Sequence, residues 1–140
     1  MRKKLLQIGG LLLIALLIVM AVSSFLNARH SASSVCSNLL KAIQQDDATK
    51  SYSLFSKNLA GQESASDWKA QVTNLNKVYG KSSSFKQTAE IKSLNPSTDN
   101  PETELHYELT SSPNKYAITC RAVKSGNRYL VDSFVSHLAD

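Results

Sequence analysis

The chain has two cysteines, Cys36 and Cys120, and no Cys-x-x-Cys pair. Dithiol redox chemistry uses that close spacing, so its absence removes the class. The three histidines, His30, His106 and His137, are scattered, with no His-Glu-x-x-His motif, no Cys/His cluster and no glycine-rich phosphate loop. No internal repeat is present. The net charge is +5, but three of the 16 basic residues are Arg2, Lys3 and Lys4, leaving 13 Lys/Arg against 11 Asp/Glu from residue 27 onward. A nucleic-acid surface needs a basic patch of one sign. Here the lysines alternate with acids and serines, so nucleic acid is not an expected partner.

Charge is also missing from residues 5–26, which contain no Asp, Glu, Lys or Arg. Roughly 22 helical residues at about 1.5 Å each span about 33 Å, against a hydrocarbon core of about 30 Å. The rival to a membrane anchor is a cleaved secretory signal, whose apolar region is normally about 7–15 residues. Ala21-Val22-Ser23 offers small residues for a cut, but the run is already long when it reaches them. The uncleaved anchor is the preferred reading and the cleaved signal the alternative. Ser34-Val35-Cys36 puts Val where a lipoprotein signal needs a small residue. The basic residues before the run leave the N-terminus in the cytoplasm and send the C-terminal part outside. The expected organisation is a cytoplasmic basic flank (1–4), a transmembrane helix in the bilayer (5–26), a linker (27–34) and an extracytoplasmic domain (35–140).

About 110 residues then remain, enough for one small domain. Val35, Leu39 and Ile43 share a helical stripe with Cys36 and Leu40 beside it. Ser31, Ser33 or Ser34 can cap that helix, and Asp47 can cap the next. The second helix carries Ala48, Tyr52, Phe55 and Leu59 on one stripe, with Gly61 just past its end. A third carries Trp68, Val72, Leu75 and Tyr79, with Ser66 as cap and Gly80 as its stop.

The period then changes from 3.6 to 2. Phe85, Ala89 and Ile91 mark one strand. Residues 95–101 form a loop with two prolines. Leu105, Tyr107 and Leu109 alternate with Glu104, His106 and Glu108 in a one-sided strand. Tyr116, Ile118, Cys120 and Ala122 are the inward set of a third. Lys124-Ser125-Gly126-Asn127 is a hairpin turn in which Gly126 supplies positive φ. The fourth strand is ambiguous: Tyr129, Val131 and Val135 compete with Leu130, Phe134 and Leu138 for the inward face. Helices followed by consecutive antiparallel strands predict an α+β domain, with three helices packed on a curved antiparallel sheet of about four strands.

The pattern Leu39-Leu40-Lys41-Ala42-Ile43-Gln44-Gln45-Asp46-Asp47, then Ser51-Tyr52-Ser53-Leu54-Phe55-Ser56, then Trp68, resembles the opening of the nuclear-transport-factor-two-like (cystatin-like) superfamily. The resemblance runs over residues 34–138. Asp46-Asp47 departs from the commoner Gly-Asp. It implies a cone-like sheet closing around the first helix, in a small membrane-anchored envelope domain. It also implies that Tyr107, Tyr116 and Tyr129 could line a pocket in the cone. Enzymes of the superfamily use an Asp or His base with Tyr donors, for which Asp132 is the right type. Strand tyrosines are nonetheless most often core aromatics, and an acid beside Val131 is most often a surface acid. Glu104, His106 and Glu108 point the same way from one strand, as a solvated face does more often than a metal site.

Cys36 and Cys120 lie on inward stripes, outside the membrane, where an oxidising compartment favours pairing. Two buried free thiols are the alternative. The expectation is a non-catalytic extracytoplasmic interaction or scaffold module with no cofactor or metal and an envelope protein as partner. The alternatives are a small apolar-ligand-binding protein or an assembly factor of a secretion or conjugation machine, with an enzyme as a third class.

Overall fold

The computed structural model describes residues 31–80 and 84–139. The expected basic flank, the membrane helix and most of the linker, with His30, lie outside them. Among the described residues no helix is long and apolar enough to cross a membrane.

Helix α1 (Ala32–Gln44) starts at Ser31, whose Oγ accepts the Ser34 N–H at 3.0 Å. Its stripe of Val35, Cys36, Leu39, Leu40 and Ile43 is fully buried. Asp47 caps α2 (Ala48–Tyr52), its Oδ1 accepting the Lys50 N–H at 2.9 Å. The single helix expected to run to Leu59 is broken here, and Gly61 lies inside α3 (Lys57–Gln62) instead of after a helix end. The cause is the edge of the sheet. The chain straightens at Phe55 to pair with Val131: Ser56 N–H donates to the Val131 carbonyl at 2.7 Å and Val131 N–H to the Leu54 carbonyl at 2.8 Å. Ser56 then caps α3, its Oγ accepting the Leu59 N–H at 3.1 Å. Ala48, Tyr52, Phe55 and Leu59 still pack in or against the core, so the stripe was right although the helix was not continuous.

Helix α4 (Ala65–Tyr79) is capped by Ser64, not Ser66, through the Asp67 N–H at 3.1 Å. Trp68, Val72 and Tyr79 are buried and Leu75 partly so. Asn76 fastens α4 to α1 by donating its Nδ2 to the carbonyls of Ile43 and Gln44 at 3.1 and 2.6 Å. It thereby satisfies carbonyls that the end of α1 leaves without helical partners. Four helices thus stand where three were expected.

The strands β1 (Phe85–Leu94), β2 (Pro101–Ser111), β3 (Asn114–Ser125) and β4 (Arg128–Leu138) form one open antiparallel sheet in the order β1-β2-β3-β4. Leu105 pairs with Cys120, Tyr107 with Ile118 and Leu109 with Tyr116, so the two apolar stripes share the face that α1 covers. Gly126, at φ 61°, makes the last hairpin.

Two bulges decide the faces of the outer strands. In β1 the register slips between Gln87 and Ala89. Phe85, Ala89 and Ile91 do lie on one strand, but Phe85 faces inward opposite Leu109, while Ala89 and Ile91 turn to the outer face opposite His106 and Glu104. In β4 the slip places Asp132 as the extra residue between Val131, opposite Ala122, and Ser133, opposite Arg121. Tyr129 and Val131 point inward before it, Phe134 and Leu138 after it. The two competing readings of β4 were each half right, because a bulge switches the parity of a strand midway.

Candidate functional site

Helix α1 and the inner face of the sheet enclose a space. It is occupied by one apolar cluster in which Val35, Leu39, Ile43, Leu105, Leu109 and Ile118 are all at most 1% exposed. Through its middle runs the Cys36–Cys120 disulfide, with Cα atoms 6.1 Å apart. The free-thiol alternative is set aside: no free cysteine is present among the described residues. At one end Phe55, Trp68 and Phe134 meet edge to face, with centroids 4.8 and 6.1 Å apart. The indole Nε1–H donates to Ser51 Oγ at 2.8 Å, and that hydroxyl donates to the Ala48 carbonyl at 3.0 Å. At the other end the Tyr79 ring packs against Phe85 and Tyr116, and its hydroxyl bonds to Ser136.

The three strand tyrosines are not brought together. Tyr107 and Tyr116 lie near one another on the inner face of β2 and β3. Tyr129 is opposite Lys124, eight residues along β3 from Tyr116, which is about 26 Å at roughly 3.3 Å per residue. Tyr107 is buried, and burial pushes its phenol up, with Ser33 opposing and Glu90 adding to the rise. Tyr116 and Tyr129 are partly buried against the core. Sequence reasoning identified the residue types but could not tell how far apart antiparallel register would set them.

Burial pushes the Tyr79 phenol from 10.0 up to about 12, against the opposing Ser136 hydrogen bond and with a smaller push from Tyr116. A raised phenol favours the neutral form in the fold. The stability it contributes is complete below pH about 10 and is lost as pH rises toward about 12. Alkaline unfolding followed by Trp68 fluorescence should show that loss. Tyr79→Phe should make the profile shallower in this window, while costing about 1 kcal/mol at neutral pH through the lost hydrogen bond. An unchanged alkaline profile would mean that Tyr79 ionises as freely in the fold as in the unfolded chain.

Asp132 is not the surface acid that its neighbours implied. The bulge turns it toward α3, where its side chain is 11% exposed. It accepts from Ser56 Oγ at 2.6 Å, from Asn58 Nδ2 at 3.3 Å and from Arg121 Nη2 at 3.3 Å. Three donors hold the carboxylate in place, two on Oδ1 and one on Oδ2. Its work is to tie the Phe55–Ser56 crossing to β3 and β4. Sequence reasoning missed this because no residue type in β4 marks the bulge.

Asp132 borders a groove of about 520 Å³ at this end of the sheet, rimmed by Lys57, Asn100, Lys124 and Arg128. Glu102 also faces it, buried and bonded to the Asn95 side-chain amide. A second groove, of about 470 Å³, lies around His106, Glu108, Lys115 and His137 and is bordered by Tyr107. Neither is bordered by Tyr116 or Tyr129. His106 Nε2 is 2.8 Å from Glu104 Oε1, and Glu108 is 3.8 Å from Lys115. Among the described residues no three His, Cys, Asp or Glu side chains gather as metal ligands. No protein-family model matches this chain, and no curated protein is similar to it.

Proposed function

We propose that this protein is a single-pass membrane protein that presents a non-catalytic interaction domain outside the cytoplasmic membrane. The observation that carries the reading is the Cys36–Cys120 disulfide in the middle of the core, downstream of an uncharged run at residues 5–26. Structural disulfides persist in oxidising compartments, so the bond supports an extracytoplasmic domain. The run and its basic flank supply the anchor and its orientation. The α+β layering, helices on one face of an antiparallel meander, supports membership of the nuclear-transport-factor-two-like superfamily with a cone-like sheet. A scaffold role follows from the interior. Its apolar side chains, among them Val35, Leu39, Ile43, Leu105, Leu109 and Ile118, are buried against each other. An assembly factor of a secretion or conjugation machine is one version of the same module.

Carbonate washing of native membranes should leave the protein in the pellet, and intact mass should retain the N-terminal residues. Protease added from the outer side should remove the domain. A soluble product starting near Ser24 would replace the anchor with a signal peptide. Protection of the domain from external protease would overturn its location.

A further inference from the structure

The sheet has two edges, and the chain treats them differently. The first half of the β4 edge is capped by the protein's own backbone, through the Ser56–Val131 and Val131–Leu54 hydrogen bonds. The β1 edge is a full strand, Phe85–Leu94, that pairs only with β2 among the described elements. Alternate residues of such a strand turn both N–H and C=O away from the sheet, so β1 offers a row of unused backbone partners. Soluble proteins usually blunt an edge like this with a bulge or with charges. The bulge at Thr88 interrupts the first half of β1, whereas the second half carries no bulge and two charges of opposite sign, Glu90 and Lys92.

The second half reads Ala89-Glu90-Ile91-Lys92-Ser93, a pattern complementary to its own reverse. Antiparallel pairing with an identical strand about a two-fold axis at Ile91 sets Ile91 against its copy. It sets Glu90 opposite Lys92 of the other copy, twice, and Ala89 opposite Ser93. Directly opposed residues share a face. The Glu90–Lys92 pairs fall on the face toward the helices and the two isoleucines on the outer face, in keeping with the parity of β1. Glu90 and Lys92 already lie 3.3 Å apart within one strand, so two copies would build an alternating ring of four charges. Ile91 is 53% exposed, one of four large hydrophobic side chains that stand out of the described surface. A partner strand of one sign, acidic or basic, would be repelled by one of these two charges. A second copy of the same chain is not.

We infer that residues 88–94 of β1 form a self-complementary edge through which two copies join their sheets into one continuous eight-stranded sheet. The pairing is isologous and closes at two subunits. It rests on the strand order and charges of the domain and does not depend on the anchor or on the envelope partner proposed above.

Single-cysteine cross-linking of the full chain, in detergent and in lipid vesicles, tests the register directly, since Cys36 and Cys120 are already paired. At the two-fold the Cα atoms would stand about 4.5–5.5 Å apart, within the range of about 4.4–6.8 Å that a disulfide spans. Ile91→Cys should give a covalent dimer on mild oxidation. Val135→Cys, equally exposed but on β4 at the opposite edge of the sheet, should remain monomeric. Glu90→Lys or Lys92→Glu alone should weaken dimerisation by about tenfold or more, because each turns two attractive pairs into repulsive ones. The double variant Glu90→Lys/Lys92→Glu should restore it. Preserved Trp68 fluorescence shows that each variant has folded. Equal cross-linking at positions 91 and 135, no dimer at any concentration, or a double variant as weak as the singles would overturn the inference. Persistence of the location results with a monomeric protein would remove the dimer and leave the functional reading intact.

Discussion

Leu39→Asp should unfold the domain or leave it barely stable. Leu39 is wholly buried at the centre of the α1 stripe, in the same cluster as Leu105, Leu109 and Ile118. The substitution removes a large apolar side chain, which alone costs about 2–5 kcal/mol. It also puts a carboxylate where no partner is near. An unpaired buried charge costs about 3–5 kcal/mol more, or binds a proton to avoid it. A domain of this size has roughly 5–15 kcal/mol in total, so the sum consumes most of it. Urea unfolding of the full chain, read by the single tryptophan, would measure the loss. Trp68 suits the purpose because it is 3% exposed and stacked edge-on against Phe55. A change below about 0.5 kcal/mol is the signature of a surface position and would mean that α1 does not pack on the sheet through this stripe.

Removal of the Cys36–Cys120 bond should have a comparable effect through the unfolded state. The cysteines are 84 residues apart in sequence. Closing a loop of that length restricts the denatured chain by roughly 4–5 kcal/mol in the chain-entropy model. The bond joins α1 to β3, the two elements that the helix-on-sheet packing must bring together. The double variant Cys36→Ala/Cys120→Ala should lower the urea midpoint sharply, with Trp68 again as probe. Protein taken from its native envelope should show a mass smaller by two hydrogens than the reduced chain, and a linked peptide pair on non-reducing digestion. Two readily alkylated thiols in that protein would defeat the disulfide. A double variant with an unchanged midpoint would leave the bond intact but show that it adds nothing to stability.

Most of the fold could be read from the order of residues. The Val35, Leu39, Ile43 stripe and the alternation of Leu105, Tyr107, Leu109 with polar residues are local periodicities, and local backbone geometry converts each into a helix or a strand with a definite face. Side-chain caps such as Asp47 are equally local. The pairing of Cys36 with Cys120 was legible because both lie on inward faces and no third cysteine competes.

The rest was settled between distant segments. The extended crossing at Phe55 exists because β4 has an edge to be paired, a partner 76 residues from Phe55 in the chain. The same contact turns the β4 bulge inward, and with it Asp132 from an exposed acid into a bonded tie among Ser56, Asn58 and Arg121. The β1 bulge turns Ile91 outward and leaves a charged, self-complementary edge. The separation of Tyr129 from Tyr107 and Tyr116 follows from hairpin register. The apolar run, the elements and the faces of the inner strands are legible in residue order, because those depend on neighbours a few residues apart. Where strands slip and which backbone groups pair across the sheet depend on contacts between segments far apart in the chain. A bulge costs little locally, and its position is chosen by whichever long-range hydrogen bonds and packing it allows.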